Sequence, residues 1–348
     1  MTPRPLTSLA QRHRIRGVAL ISALLLVALA TSTAVFIASR ASLRLRDAEN
    51  TQALSQAKAT ARAAIDFGRW ALRQDLLRDT ATNTAVDSLT EPWAQSLPAF
   101  PVENGSVSGL VTDAQARINL NNLGLNHGAG DALLIQTLLL QAHLDPTLAN
   151  ALRDWVDADD QATLPGGAED IDYLAMTPGR RAANRPLVDV DELLQVRGFT
   201  PDAVAALRPF VTALPVHTPV NINTATAPVL MVLFRISSSD AEAMLAARQL
   251  APFTGVTDLM DRGPPALVRQ LGSSSGVGTA VVAASTTPGA ETGSAPPQFH
   301  QDWDVASAFF LIDARATYGQ VQYGLSALVQ RANQTGYPSI LWERRTLF

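Results

Sequence analysis

Residues 18–38 read VALISALLLVALATSTAVFIA and carry no charge. In a helix rising about 1.5 Å per residue, such a run covers the roughly 30 Å hydrocarbon core of a bilayer. The segment therefore predicts a membrane-spanning helix. Arg4, Arg12, Arg14 and Arg16 precede it with no acid among them. Positive charge in this short leading segment predicts that the N-terminus stays in the cytoplasm and the remaining chain lies outside.

Beyond Arg40 there is no helix breaker until the Thr/Asn-rich stretch near Thr80, and good helix formers dominate. Ala57, Ala61, Ile65, Leu72 and Leu76 recur at steps of four or seven, the spacing of one helical face. The pattern predicts one helix over residues 18–78, half in lipid and half amphipathic, whose lower stripe needs a partner. A secretory signal cut after the small-x-small triplet Ala28-Leu29-Ala30, leaving Thr31 first, is the competing reading. The apolar run is too long for the usual signal core and continues past that triplet.

The 348 residues suffice for two or three modest domains, with 47% apolar residues to fill their cores. A net charge of −4 disfavours nucleic acid as a partner. The chain has no cysteine, so neither a disulfide framework nor a thiolate metal site is available. Residues 80–105 hold Pro92, Pro98, Pro101 and Gly105 and read as an irregular connection with Trp93, Leu97 and Phe100 as apolar anchors. Residues 106–120 read as a hairpin or bent strand turning at Thr112-Asp113-Ala114. From Asp131 to about Leu271 the pattern is helical, in segments over 131–144, 147–158, 188–196, 201–214, 226–234 and 239–250, several with capping residues or an early proline. Residues 272–297 are Ser/Gly/Thr/Ala/Pro-rich and read as a flexible loop. Short β-type segments follow, with a tight turn at Tyr318-Gly319-Gln320. The economical architecture is α+β: one antiparallel sheet on the soluble half of the long helix, interrupted by a mainly helical domain.

A short basic leader ending in Gly17, an uncharged run and an amphipathic continuation resemble the type IV prepilins and type II secretion pseudopilins. The strings ARINLNNL (116–123), LRDWVDADD (152–160), PGGAEDIDYL (165–174), RAANRPLVDVDELLQVRG (181–198) and PVNINTATAPVL (219–230) extend the resemblance to one subclass, the GspK minor pseudopilins. That resemblance implies a pseudopilin fold with these parts: a leader over 1–17, the long helix over 18–79, the head over 80–122 and 299–348, and an inserted domain over 123–271 of SAM-like or helix-hairpin-helix-like type, with the loop over 272–298. It implies cleavage by prepilin peptidase between Gly17 and Val18 and methylation of the new amine; the absence of an H-E-x-x-H or P-loop motif and the scatter of the five histidines lead separately to the expectation of no enzymatic activity. The resemblance also implies a single-pass inner-membrane protein with a periplasmic head. Its partners would be GspI and GspJ, with GspH. Most such chains have glutamate at the fifth mature position; here it is Ser22, a departure that resembles the GspK subclass, which lacks that acid.

The strongest chemical signal lies over 154–172, which holds seven acids and neither lysine nor arginine. Gathering carboxylates without basic partners is costly, and a hard dication with oxygen ligands removes the cost. Ca2+ is the natural candidate, with Asp157, Asp159, Glu169, Asp170 and Asp172 as contributors and Gly166 and Gly167 letting the backbone fold back; the GspK resemblance implies calcium as well. An EF-hand register fails, since Ala162 stands at the glycine position and Glu169 falls one residue late. The competing reading is an acidic loop paired with Arg180, Arg181 and Arg185.

Residues 219–259 resemble a helix-hairpin-helix module, but Phe234-Arg235-Ile236-Ser237 replaces the hairpin glycines that expose amides to phosphate. Helix packing is favoured over DNA binding. The string Gly272-Ser273-Ser274-Ser275-Gly276 fits a hydrolase elbow only by letter, because it lies in low-complexity sequence. The expectation is an assembly protein at the tip of a type II secretion pseudopilus, initiating or capping it; the alternative is a minor type IV pilin-like protein whose helical domain binds DNA or secreted substrate.

Overall fold

The structure, a computed structural model, describes residues 9–82, 85–124, 128–274, 302–331 and 336–346. Its helices are α1 (Leu9–Thr82), α2 (Gly128–Gln141), α3 (Leu148–Val156), α4 (Asp170–Leu174), α5 (Pro201–Leu207), α6 (Ala227–Phe234), α7 (Ser238–Leu250), α8 (Val256–Arg262) and α9 (Pro265–Ser274). Its strands are β1 (Leu97–Val102), β2 (Gly105–Asp113), β3 (Ile118–Asn119), β4 (Val211–Thr212), β5 (Val220–Asn221), β6 (Trp303–Asp304), β7 (Phe309–Tyr318), β8 (Val321–Gln330) and β9 (Ser339–Thr346).

The long helix α1 is continuous, starting inside the leader and ending a turn beyond Arg78. Residues 18–50 are exposed throughout, whereas Ala57, Ala61, Ile65 and Leu72 are fully buried. The stripe of small and branched residues lies against one face of the head sheet, on Val107, Val111, Phe310, Ile312, Ala314, Ala327 and Val329. That sheet is antiparallel with strand order β1-β2-β7-β8-β9. Its neighbours β2 and β7 are separated in sequence by the whole inserted domain, and the register Asp113↔Phe310 brings the two ends of the insertion side by side. Closing such a detour costs chain entropy that grows only with the logarithm of its length. Buried side chains then seal the junction: Ser307 Oγ donates to Asp113 Oδ2 at 2.6 Å, and Ala308 N donates to Gln115 Oε1 at 2.7 Å.

The first hairpin is not where the sequence pattern puts it. The turn lies at Glu103-Asn104, with Asn104 in the left-handed region at φ +60°, and β2 runs through Thr112 to Asp113. Pro98 and Pro101 disguise β1 as irregular chain, yet β1 is an edge strand, where a missing N–H is tolerated. Residues 118–119 leave the head altogether, because β3 pairs in parallel with β4 of the helical domain. The insertion thus opens near Ala114 rather than at residue 123. Residues 190–195 form a 3-10 turn instead of an α-helix, and the helix expected over 201–214 stops at Leu207 before β4. At the far end α9 continues to Ser274, three residues past the expected boundary, while the remainder of the expected loop, 275–298, lies outside the described residues.

Gly105 opens β2 where a Cβ would stand 2.0 Å from the carbonyl oxygen of Thr317, which is strand backbone rather than a flexible side chain. Gly105→Ala is therefore expected to force a shift between β2 and β7 and cost about 1–3 kcal/mol, the range for overpacked sites. A thermal melt of the full chain in micelles, followed by circular dichroism, measures it.

Candidate functional site

Helix α3 carries an apolar face, with Ala151, Leu152, Trp155 and Val156 buried in the core of the inserted domain. Its last turn carries Asp154, and the loop that continues it carries Asp157 and Asp159. Asp154 is fully buried, and its carboxylate accepts the Thr163 amide through both oxygens at 3.1 and 3.0 Å. The same loop turns back at Gly166 and Gly167. Gly166 has φ +90°, and a Cβ on Gly167 would meet Asp154 Oδ2 at 2.2 Å and Thr163 O at 2.3 Å. This return carries Glu169 back to the aspartates.

Asp157, Asp159 and Glu169 each offer a carboxylate oxygen within 4.8 Å of the other two. Both oxygens of Glu169 and Oδ1 of Asp157 are buried without a hydrogen-bond partner. Burial, and then the neighbouring carboxylates, raise Asp157 to about 6 and Glu169 to about 7. The arginines weighed as partners of the acidic stretch do not pair with these three carboxylates: Arg180 donates to Gln195, Arg181 lies 3.7 Å from Asp170 of the same stretch, and Arg185 pairs with Glu192. Among the described residues, Arg153 alone forms an ion pair with this group, at 3.8 Å from Asp157.

Two of the five sequence candidates are not part of this group. Asp170 accepts the Ala182 amide at 2.9 Å, and Asp172 accepts from Arg197 at 2.9 Å and from the Glu169 amide at 3.3 Å. They hold the flanking chain in place. Two residues were not legible as site candidates. Asp154 braces the loop, and Asn184 donates to the Asp159 carbonyl at 3.0 Å while its own Oδ1 is buried without a partner. Asn184 stands in the left-handed region, φ +43°, which asparagine tolerates, but nothing in its local sequence marks it as a contact of a loop 25 residues earlier. The oxygen-only donor set, with orphaned buried oxygens, fits a hard divalent cation.

A second acidic group ties α1 to the head. Asp75, Asp79 and Asp87 bring carboxylate oxygens within 4.8 Å of one another. Arg331, at the end of β8, pairs with Asp75 at 3.2 Å and with Asp87. Glu91 stands nearby, accepting from the Trp93 indole.

At the membrane end, Ser22 Oγ donates back to Val18 O at 2.9 Å, so the hydroxyl is spent within its own helix. The helix over Val18–Thr82 has a mean hydropathy of 2.4 in its most apolar window, none of it buried.

Residues 116–216 and 220–281 match two family models, both described as type II secretion system (T2SS), protein K. Type II secretion system protein K of Pseudomonas aeruginosa is 35% identical over 269 residues, 75% of this chain and 79% of the relative. The chain belongs to the type II secretion system protein K family. Protein K of Klebsiella pneumoniae is 34% identical over 273 residues, covering 73% of this chain and 81% of the relative. The protein K fold is seen in a chain from the crystal structure of the GspK-GspI-GspJ complex of enterotoxigenic Escherichia coli: TM-score 0.66, 22% identity, 86% of this chain and 99% of that one.

Two of the protein K strings, 116–123 and 219–230, owe their asparagines to buried clamps. Asn119 Oδ1 accepts the Leu214 amide at 3.0 Å, Asn121 grips Leu187 at both its amide and its carbonyl, and Asn122 grips Thr218 in the same way. Asn223 does so to Phe253, joining the two halves of the hairpin module. Each asparagine substitutes for a missing strand partner across the core. In that module Arg235, between α6 and α7, takes the left-handed conformation at φ +51° that a hairpin glycine would supply.

Proposed function

We propose that this chain is the minor pseudopilin at the tip of the type II secretion pseudopilus, where it initiates or caps assembly. The observation that carries this reading is Ser22. After cleavage between Gly17 and Val18 by prepilin peptidase, Ser22 is the fifth mature residue, and its hydroxyl is turned back onto the Val18 carbonyl. A freed terminal amine buried among apolar helices needs a carboxylate. This subunit can accept one from a neighbour but offers none onward, which suits an end position. The bulk of the inserted domain supports the same placement, since it would obstruct a repeating stack.

The apolar helix anchors the protein in the inner membrane with the leader in the cytoplasm and the head in the periplasm. The solved neighbour comes from a GspK-GspI-GspJ complex, which supports GspI and GspJ as partners, with GspH joining them. The chain works by association rather than catalysis. Asp157, Asp159 and Glu169 would hold Ca2+, which the orphaned buried oxygens of Asp157 and Glu169 favour, and it would supply positive charge to this crowded group.

Co-expression of the full chain with GspI and GspJ, followed by capture from solubilised membranes, tests the reading; all three are expected together, and recovery of this chain alone would count against it. Gly17→Glu is expected to abolish processing, leaving the seventeen-residue leader attached by mass spectrometry, and to stop export. Normal export by an unprocessed chain would refute the maturation step.

A further inference from the structure

Asp75 and Asp79 stand one turn apart near the end of α1, a spacing that sets two like charges side by side on one helical face. The chain beyond the helix returns Asp87 to them. Its amide donates to Val305 O at 2.8 Å, and its Oδ2 accepts the Ser307 amide at 2.7 Å. Each of the three aspartates offers a carboxylate oxygen within 4.8 Å of the other two.

Arg331 does not satisfy this group. It reaches Asp75 and Asp87 through Oδ2 of each, and among the described residues neither it nor Arg78 forms an ion pair with Asp79. The Asp87 side chain has no exposed surface, yet its Oδ1 has no hydrogen-bond partner, and Asp79 Oδ2 is likewise buried and unpartnered. A buried carboxylate oxygen without a donor has lost its hydration and gained nothing in return. A further cation would supply what both oxygens lack. We propose that Asp75, Asp79 and Asp87 hold a Ca2+ ion, separate from the one in the inserted domain, which fastens the end of the long helix to the head.

The donors select the ion. They are carboxylates alone, hard ligands that suit a hard cation. Ca2+ bonds oxygens at about 2.3–2.6 Å, so one ion bridges oxygens up to about 5 Å apart, and its flexible geometry tolerates a guanidinium on the same carboxylates. Mg2+ demands a regular octahedron that such a guanidinium disturbs. The ligands come from α1 and from the segment leading to β1, and Arg331 adds the end of β8 to the same knot.

Calorimetric titration of Ca2+ into chelator-treated full chain, in nanodiscs of zwitterionic phosphatidylcholine, counts the ions. Glu169→Gln should remove the inserted domain's ion and keep this one. Adding Asp79→Asn should weaken the remaining event at least tenfold without lowering the metal-free melting temperature. Should that variant not fold, Tb3+ on the Glu169→Gln chain decides. The Trp93 indole donates to Glu91, which lies close enough to Asp75 and Asp87 to feel their charge. Tryptophan excitation should therefore give Tb3+ emission that Ca2+ displaces and Trp93→Phe dims. A single Ca2+ in the parent, kept by Glu169→Gln and lost by Asp79→Asn, would support this site and remove the other. No Ca2+ bound by Glu169→Gln, binding unchanged by Asp79→Asn, or Tb3+ emission indifferent to Trp93→Phe overturns the proposal.

Discussion

Arg331→Leu is expected to cost the folded head about 3–5 kcal/mol, the range for removing one partner from a buried ion pair. The Arg331 side chain is 6% exposed, between Asp75 at 6% and Asp87 at 0%. It also donates to Ser307 O at 2.8 Å and lies 5.0 Å over the Phe310 ring. Leucine would keep the packing and leave three clustered carboxylates without the buried cation that pairs with two of them, Arg78 alone acting on Asp75 and Asp79. The loss should depend on pH. Burial, and then neighbouring carboxylates, raise Asp75 to about 6 and Glu91 to about 7, and burial raises Asp79 and Asp87 as well. The folded chain thus holds protons that the unfolded chain has released above the ordinary values of 3.8 and 4.5. This contribution is fully present below those values and is lost as pH rises through 6–7. The head should therefore melt lower at pH 8 than at pH 5, and Arg331→Leu should lose more at pH 8. Asp79→Asn should flatten the slope. Melting of the full chain in micelles at both pH values checks the sign; an upward slope, or no difference with Asp79→Asn, contradicts it.

The second large effect concerns calcium. A ligand at a hundred times its Kd stabilises the folded state by about 2.7 kcal/mol. For a domain of this size that corresponds to a melting shift of about 5–10 °C. Adding calcium to chelated full chain should raise the inserted domain's calorimetric transition by that amount. Glu169→Gln should remove most of the response, because both Glu169 oxygens are buried and otherwise unpartnered. Asp170→Asn and Asp172→Asn should retain it, since those carboxylates serve Ala182 and Arg197. Without calcium, Glu169→Gln should melt no lower than the parent, as it removes one of several crowded charges. An identical melt with calcium and with chelator would remove the metal from the account.

The long helix, the sheet and the helical insertion were legible because their signals are periodic: Ala57, Ala61, Ile65 and Leu72 repeat on one helical face and are fully buried. What was misread depended on partners far along the chain. Pro98 and Pro101 argue locally against a strand, and only the edge position of β1 permits them. Ile118 has strand character, but nothing local says that it pairs with Val211 rather than with the head. In the acidic loop, charge counting gathers seven carboxylates, yet it cannot separate Asp157, Asp159 and Glu169 from Asp170 and Asp172. That division rests on the Gly166-Gly167 return and on Arg197, brought in from 25 residues away.

Placement of this subunit in the assembled fibre tests the account most directly. Full chain carrying a gold-labelled tag on the head, expressed with the other pseudopilins, should mark one end of each pseudopilus and leave the shaft bare. Label distributed along the shaft would contradict a subunit whose Ser22 offers no carboxylate onward.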